Sequence, residues 1–175
     1  MRITAIVAVL CLSVTIVTGR QPAHDATQQA RLERLFPAAT AFSPKGGAPP
    51  HIKAYAGDSS GGQQLAGFAF LTRDLEPLER GYDGPIQILV GMDTTGTLTG
   101  VVVVDHNEPY GYFSIDMPEF ATQFKDKSIR DRFRVGRDID AVSRATLTMT
   151  SAARAVRNSA RRIARQLLTP PGASR

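Results

Sequence analysis

Cysteine is all but missing from these 175 residues: Cys11 is the only one, and it sits in an apolar run near the start. A disulfide framework and a thiol nucleophile are therefore both excluded from the rest of the chain. Histidine is scarce too. His24, His51 and His106 stand far apart without cysteine partners, so no spacing suggests a zinc or haem site. The chain has no phosphate loop of the Walker kind and no GxGxxG after a strand. Residues 57–62, GDSSGG, resemble the segment around a serine-protease nucleophile only superficially. Two serines stand where that segment has one, and no histidine lies in a matching context, so a turn between strands is the expectation. Internal repeats and long low-complexity tracts are also lacking.

What is present begins with Met1 and Arg2, followed by an apolar run over residues 3–17 and then Thr18, Gly19 and Arg20. This is the pattern of a secretory signal, here assigned to residues 1–19. The run is shorter than the roughly 20 apolar residues of a transmembrane helix, which favours cleavage over retention as an anchor. Leu10 before Cys11 argues against a lipoprotein site. The expected location is periplasmic or otherwise extracytoplasmic, with membrane anchoring the alternative if the signal stays uncut. The formal charge of +5 loses one unit with Arg2, and nucleic acid is not an expected partner outside the cytoplasm. With 42% hydrophobic residues the chain is sized for one domain with a core of its own.

Residues 26–36 carry Ala30, Leu32, Leu35 and Phe36 among polar neighbours and predict a short amphipathic helix ended by Pro37. Residues 43–50 hold two glycines and three prolines and predict a loop, closing an N-terminal helix-and-linker region over 20–50. Two hairpins follow, from residues 51–56 with 65–72 and from 86–92 with 98–104; the second pair is apolar enough to predict central strands. A short helix is expected over 117–124 and a charged connection over 125–134. Over 151–168, Ala152, Val156, Ala160, Ile163 and Leu167 share one helical face. Arg154, Arg157, Arg161 and Arg165 lie on the order of 140° away. The expected fold is α+β: a twisted, mainly antiparallel sheet with a packed N-terminal helix and a long C-terminal helix, the main domain spanning 51–168 and a tail 169–175.

Residues 140–148, DAVSRATLT, stand just before that last helix. By pattern alone Ala145, Leu147 and Met149 alternate with Thr146, Thr148 and Thr150, as in a half-buried strand or a strand running into a helix cap. A second block reads GYxGPIxILVGxDxxGxxxGV from Gly81 to Val101, continued by HNEP from His106 to Pro109. Taken together, the two blocks resemble the FMN-binding domain shared by NosR, RnfG and NqrC, over residues 31–168. In that family an aspartate, two variable residues, Ser or Thr, usually Gly, then Ala and Thr form the recognition sequence of a flavin transferase, and FMN is attached to the final Thr. Asp140, Ser143, Ala145 and Thr146 match, while Arg144 replaces the usual glycine.

The resemblance implies covalent FMN, joined by a phosphoester to Thr146. A threonine hydroxyl with no neighbouring base is a poor nucleophile. The implied agent is a Mg-dependent transferase that moves FMN from FAD and releases AMP, with Asp140 and Ser143 as recognition elements. The negative phosphodiester would be met by N–H groups at the start of the last helix, next to Leu147, with Thr148, Thr150 or Ser151 as further donors. The flat ring needs a slot with a few polar contacts. Tyr82 and Pro85 are candidate walls, Gly81 and Gly84 allow close approach, and His106 and Glu108 are candidate polar contacts, while Tyr110, Tyr112 and Phe113 cluster nearby. Each has an ordinary alternative as a turn, core-edge or loop residue. The implied function is an exported electron-transfer flavoprotein, closest to the NosR periplasmic domain, with a membrane or soluble redox partner in a respiratory complex. A regulatory or binding module of such a complex is the alternative.

Overall fold

The computed structural model describes residues 25–57 and 61–168, so the expected signal at 1–19, the tail at 169–175 and residues 58–60 of the GDSSGG turn lie outside the described residues. The chain builds one five-stranded antiparallel sheet in the order β1-β2-β3-β4-β5. Its strands are β1 Ala39–Phe42, β2 Ile52–Gly57, β3 Gln63–Leu71, β4 Gln87–Asp93 and β5 Leu98–Asp105. Helix α1 spans Ala26–Leu35, and the Asp25 carboxylate accepts the Gln28 N–H to close its first turn. Short helices α2, Thr72–Leu75, and α3, Pro118–Thr122, lead to the long α4, Thr146–Ile163.

Both faces of the sheet are covered, which follows from the near-continuous apolar sequence of β3 and β4. Phe68 pairs with Met92 and Phe70 with Val90 across those strands. All four sit in one core with Met149, Ala152, Val156, Ala160 and Ile163 of α4. The alternate residues Ala69 and Leu89 turn the other way and pack with Leu32, Leu35 and Phe36 of the α1 segment. Gly91 of β4 permits this approach, because a Cβ there would lie 3.1 Å from the Leu35 side chain and 2.3 Å from Thr99 Oγ1. No helix among the described residues is long and apolar enough to cross a membrane.

Three expectations need correction. Strand β1 lies where none was read: four residues just after Pro37 carry too little periodicity to register. Strand β5 is an edge strand, not a central one. Its apolar content is explained by the cover it receives: Leu98 exchanges backbone bonds with residues 126 and 127, and Thr97 bridges Ser128. Third, the alternation through 145–150 does not make a strand. Helix α4 already begins at Thr146, because Met149, Ala152, Ala153 and Val156 recur at helical spacing on the core face, and their burial overrides the local period of two.

Candidate functional site

The start of α4 is the centre of the site. Thr146 is its first residue, not one a few positions ahead of it, and is exposed. Ala145 precedes it, buried, and provides no side-chain cap, so the first-turn N–H groups lack the acceptor that Ser, Thr, Asp or Asn would supply. An 18-residue helix thus points the positive end of its dipole at the Thr146 hydroxyl. Arg144, one residue before Ala145, has φ 68°, in the left-handed region that favours glycine. The backbone shape that glycine would supply is therefore formed here by arginine, whose side chain stays exposed. Ser143 is exposed as well. Asp140 is also exposed and is fixed through its backbone, whose N–H donates to Gln123 Oε1 at 2.6 Å.

Glu108 joins this helix start to the Gly81 loop. It is 6% exposed and accepts the N–H groups of Tyr82 and Asp83, each at 3.0 Å. The hydroxyl of Thr148, itself 2% exposed, donates to the same carboxylate. Gly81 leaves the room: a Cβ there would lie 2.3 Å from Glu108 Oε1, and its N–H closes the loop onto the Gly84 carbonyl at 2.7 Å. Gly84 has φ 114°, and Pro85 is half-buried beside it. One turn further along α4, the Ser151 hydroxyl and Arg154 both donate to Glu79. Thr148 and Ser151 are thus committed to carboxylates and do not remain free as phosphate donors, as their sequence positions had suggested.

His106 plays a similar bracing part. The Glu108 N–H donates to its Nδ1 at 3.0 Å, and its Nε2 lies 2.8 Å from Asp116 Oδ1. Accepting a backbone N–H requires Nδ1 to be unprotonated, which puts the ring hydrogen on Nε2, facing Asp116. Gly111 caps the ring so closely that a Cβ would meet His106 Cε1 at 2.2 Å. The polar atoms of His106 and Glu108 are therefore engaged within the protein, and they hold the loop in place.

Around this frame the surface is apolar where loops are ordinarily polar. Leu147 is 52% exposed, Tyr82 70% and Tyr112 69%. Tyr110 and Tyr112 pack on Phe113 with ring centroids 5.4 and 4.8 Å away. Phe113 in turn lines a cleft of about 280 Å³ with Ser114, Met117, Asp140, Val142 and Met149. The sequence places the aromatic cluster beside His106 and Glu108; that one wall of this cleft comes from the Asp140–Thr146 segment was not legible there.

The FMN-binding domain model matches residues 81–161, a span that holds both the Glu108-braced loop and the start of α4. Over this span the chain is similar to the FMN-binding domain family. The G subunit of the ion-translocating oxidoreductase complex of Vibrio vulnificus (strain YJ016) is 33% identical over 89 residues, covering 45% of this chain and 42% of that protein. Strands β1, β2 and β3 lie outside the family match but complete the same sheet.

The residues present suit FMN. An uncapped helix start accepts a phosphate, and exposed tyrosines and leucine offer an apolar face to a flat ring. The cleft, at about 280 Å³, falls just below the ~300–1,000 Å³ that encloses a ligand of this size. A ring seated there would be covered only in part, and retention would depend on the phosphate end.

Proposed function

We propose that this chain is an exported electron-transfer module of a respiratory chain, NosR-like, that carries FMN as a phosphoester on the oxygen of Thr146. The observation that carries the reading is the accessible Thr146 hydroxyl at the uncapped start of α4, inside the Asp140–Thr146 pattern. Bound FMN supplies reversible one- or two-electron transfer. The protein's own part is positional. Helix α4 presents the threonine oxygen and offsets the phosphodiester charge, Leu147 and Tyr82 shield the ring, and Glu108 and His106 keep the Gly81 loop against the helix.

Covalent attachment fits the shallow cleft, because a tethered group has no dissociation constant to satisfy after export. Attachment calls for an external flavin transferase, since among the described residues no base is hydrogen-bonded to the Thr146 hydroxyl, and the electrons call for a separate membrane or soluble redox partner. Production with the native leader, in cells with and without a flavin transferase, tests the reading. A yellow, protein-bound chromophore that appears only with the transferase supports it. Colourless protein from both strains, or equal colour without the transferase, overturns it.

A further inference from the structure

On a different face, a cleft of about 360 Å³ is lined by Arg132, Arg134, Arg157 and Arg161 and by no other residue. It shares Arg161 with a neighbouring hollow that adds Arg130 and Arg165, again without a lining carboxylate. By the 1.5 Å rise per residue, Arg157 and Arg161 lie roughly 16–22 Å along α4 from Thr146, so this is a separate feature from the flavin site.

The two helix arginines have a structural task. Arg161 donates to the carbonyls of Ile129 and Asp131, each at 2.8 Å, and Arg157 to the carbonyl of Arg132 at 3.5 Å. Cations near the end of α4 also complement its dipole. Neither reason extends to Arg132 and Arg134, which come from a loop and whose side chains make no ion pair among the described residues. That loop is held in an unfavourable shape. Phe133, between them, is buried with φ 51°, a rare conformation for a bulky residue, and the Asp138 carboxylate accepts the N–H groups of both Phe133 and Arg134. Of the nearby acids, Asp138 is held by those bonds and Lys127, and Asp131 accepts the Ser128 N–H; neither lines the hollow. The fold therefore holds four like charges around one hollow at a cost in repulsion, and an anion would offset it.

We propose that this arginine cleft is a binding site for a phosphate-bearing anion, carried by a soluble phosphate compound or by a phospholipid headgroup. A single carboxylate would leave three of the four charges unbalanced, whereas a phosphate dianion or diphosphate offers more charge and more acceptor oxygens to planar, forked donors.

Two probes separate the sources: calorimetric titration of the full chain with pyrophosphate at fixed ionic strength, and flotation with phosphatidylglycerol vesicles against phosphatidylcholine vesicles. The variant R132Q/R134Q alters two exposed side chains, and K53Q/R73Q removes the same charge elsewhere on the surface. Saturable binding that R132Q/R134Q weakens about tenfold or more, and K53Q/R73Q leaves unchanged, is the expected result. Seen with pyrophosphate alone, it assigns a soluble ligand; seen with vesicles alone, it assigns the headgroup; either supports the proposal. Absence of binding to both probes overturns it. So does equal weakening by both variants, or citrate competing as well as pyrophosphate. An unchanged melting curve for R132Q/R134Q separates lost binding from lost fold.

Discussion

Replacing Glu108 by alanine removes the group that ties the Gly81 loop to α4, and the structure sets the size of the effect. Three donors lose their acceptor: the N–H groups of Tyr82 and Asp83 and the hydroxyl of Thr148. The hydroxyl is 2% exposed and cannot reach water, so stranding it costs about 1–3 kcal/mol. The two loop N–H groups belong to exposed residues and rehydrate, which limits their share to about 0.5–1 kcal/mol each. The expected loss is about 2–5 kcal/mol, read by urea denaturation as a midpoint shift of about 1–2.5 M without a change in slope. Glu108→Gln keeps one acceptor and should lose about half as much. Gly81→Ala supplies the cross-check: its Cβ would sit 2.3 Å from Glu108 Oε1, so the two alanine changes should be less than additive by about 1 kcal/mol or more, because the first removes the atom the second strikes. A loss under about 0.5 kcal/mol for Glu108→Ala, or strict additivity, would refute the bracing argument.

Arg144→Gly should raise stability by about 0.5–1 kcal/mol in the same assay, since glycine adopts φ 68° without the Cβ penalty and its larger unfolded-state entropy recovers only part of the gain. Asp138 sets an acid limit. Burial alone would raise its pKa, but the backbone N–H groups of Arg134 and Phe133 and the charge of Lys127 outweigh it and hold the carboxyl below 3.8. A depressed folded value means that its stabilisation is present above the unfolded value of about 4 and is lost as pH falls through the folded one. Asp138→Asn should therefore flatten the stability profile below about pH 4; an unchanged slope there would contradict the assignment. Thr146→Val, at an exposed first helical position, should shift stability by no more than about 0.5 kcal/mol, checked by thermal melting.

Much of the sheet was legible because residues 86–92 and 98–104 are dense in β-branched side chains, and both observed strands fall within a residue of those bounds. Helix α1 was equally clear from Leu32, Leu35 and Pro37. The start of α4 was not, because Thr146–Thr150 alternates like a strand and only packing of Met149 against the sheet decides for a helix. At the site, the Asp140–Thr146 pattern could be read locally, whereas the contacts that shape it could not. Glu108 and Thr148 stand 40 residues apart, and Glu79 and Ser151 stand 72 apart, with no period or motif linking them. For the left-handed backbone at Arg144 the arginine itself carries no signal, and only the glycine usual at that position in the resembling family pointed to the backbone there.

Intact mass spectrometry of denatured protein made alongside a flavin transferase reads the proposed bond between FMN and the Thr146 oxygen itself. The native chain should carry the added mass of one FMN less one water, and Thr146→Val, which keeps the shape and removes the oxygen, should carry none. Flavin retained on the denatured valine variant, or an unmodified native chain, would rule out attachment at Thr146.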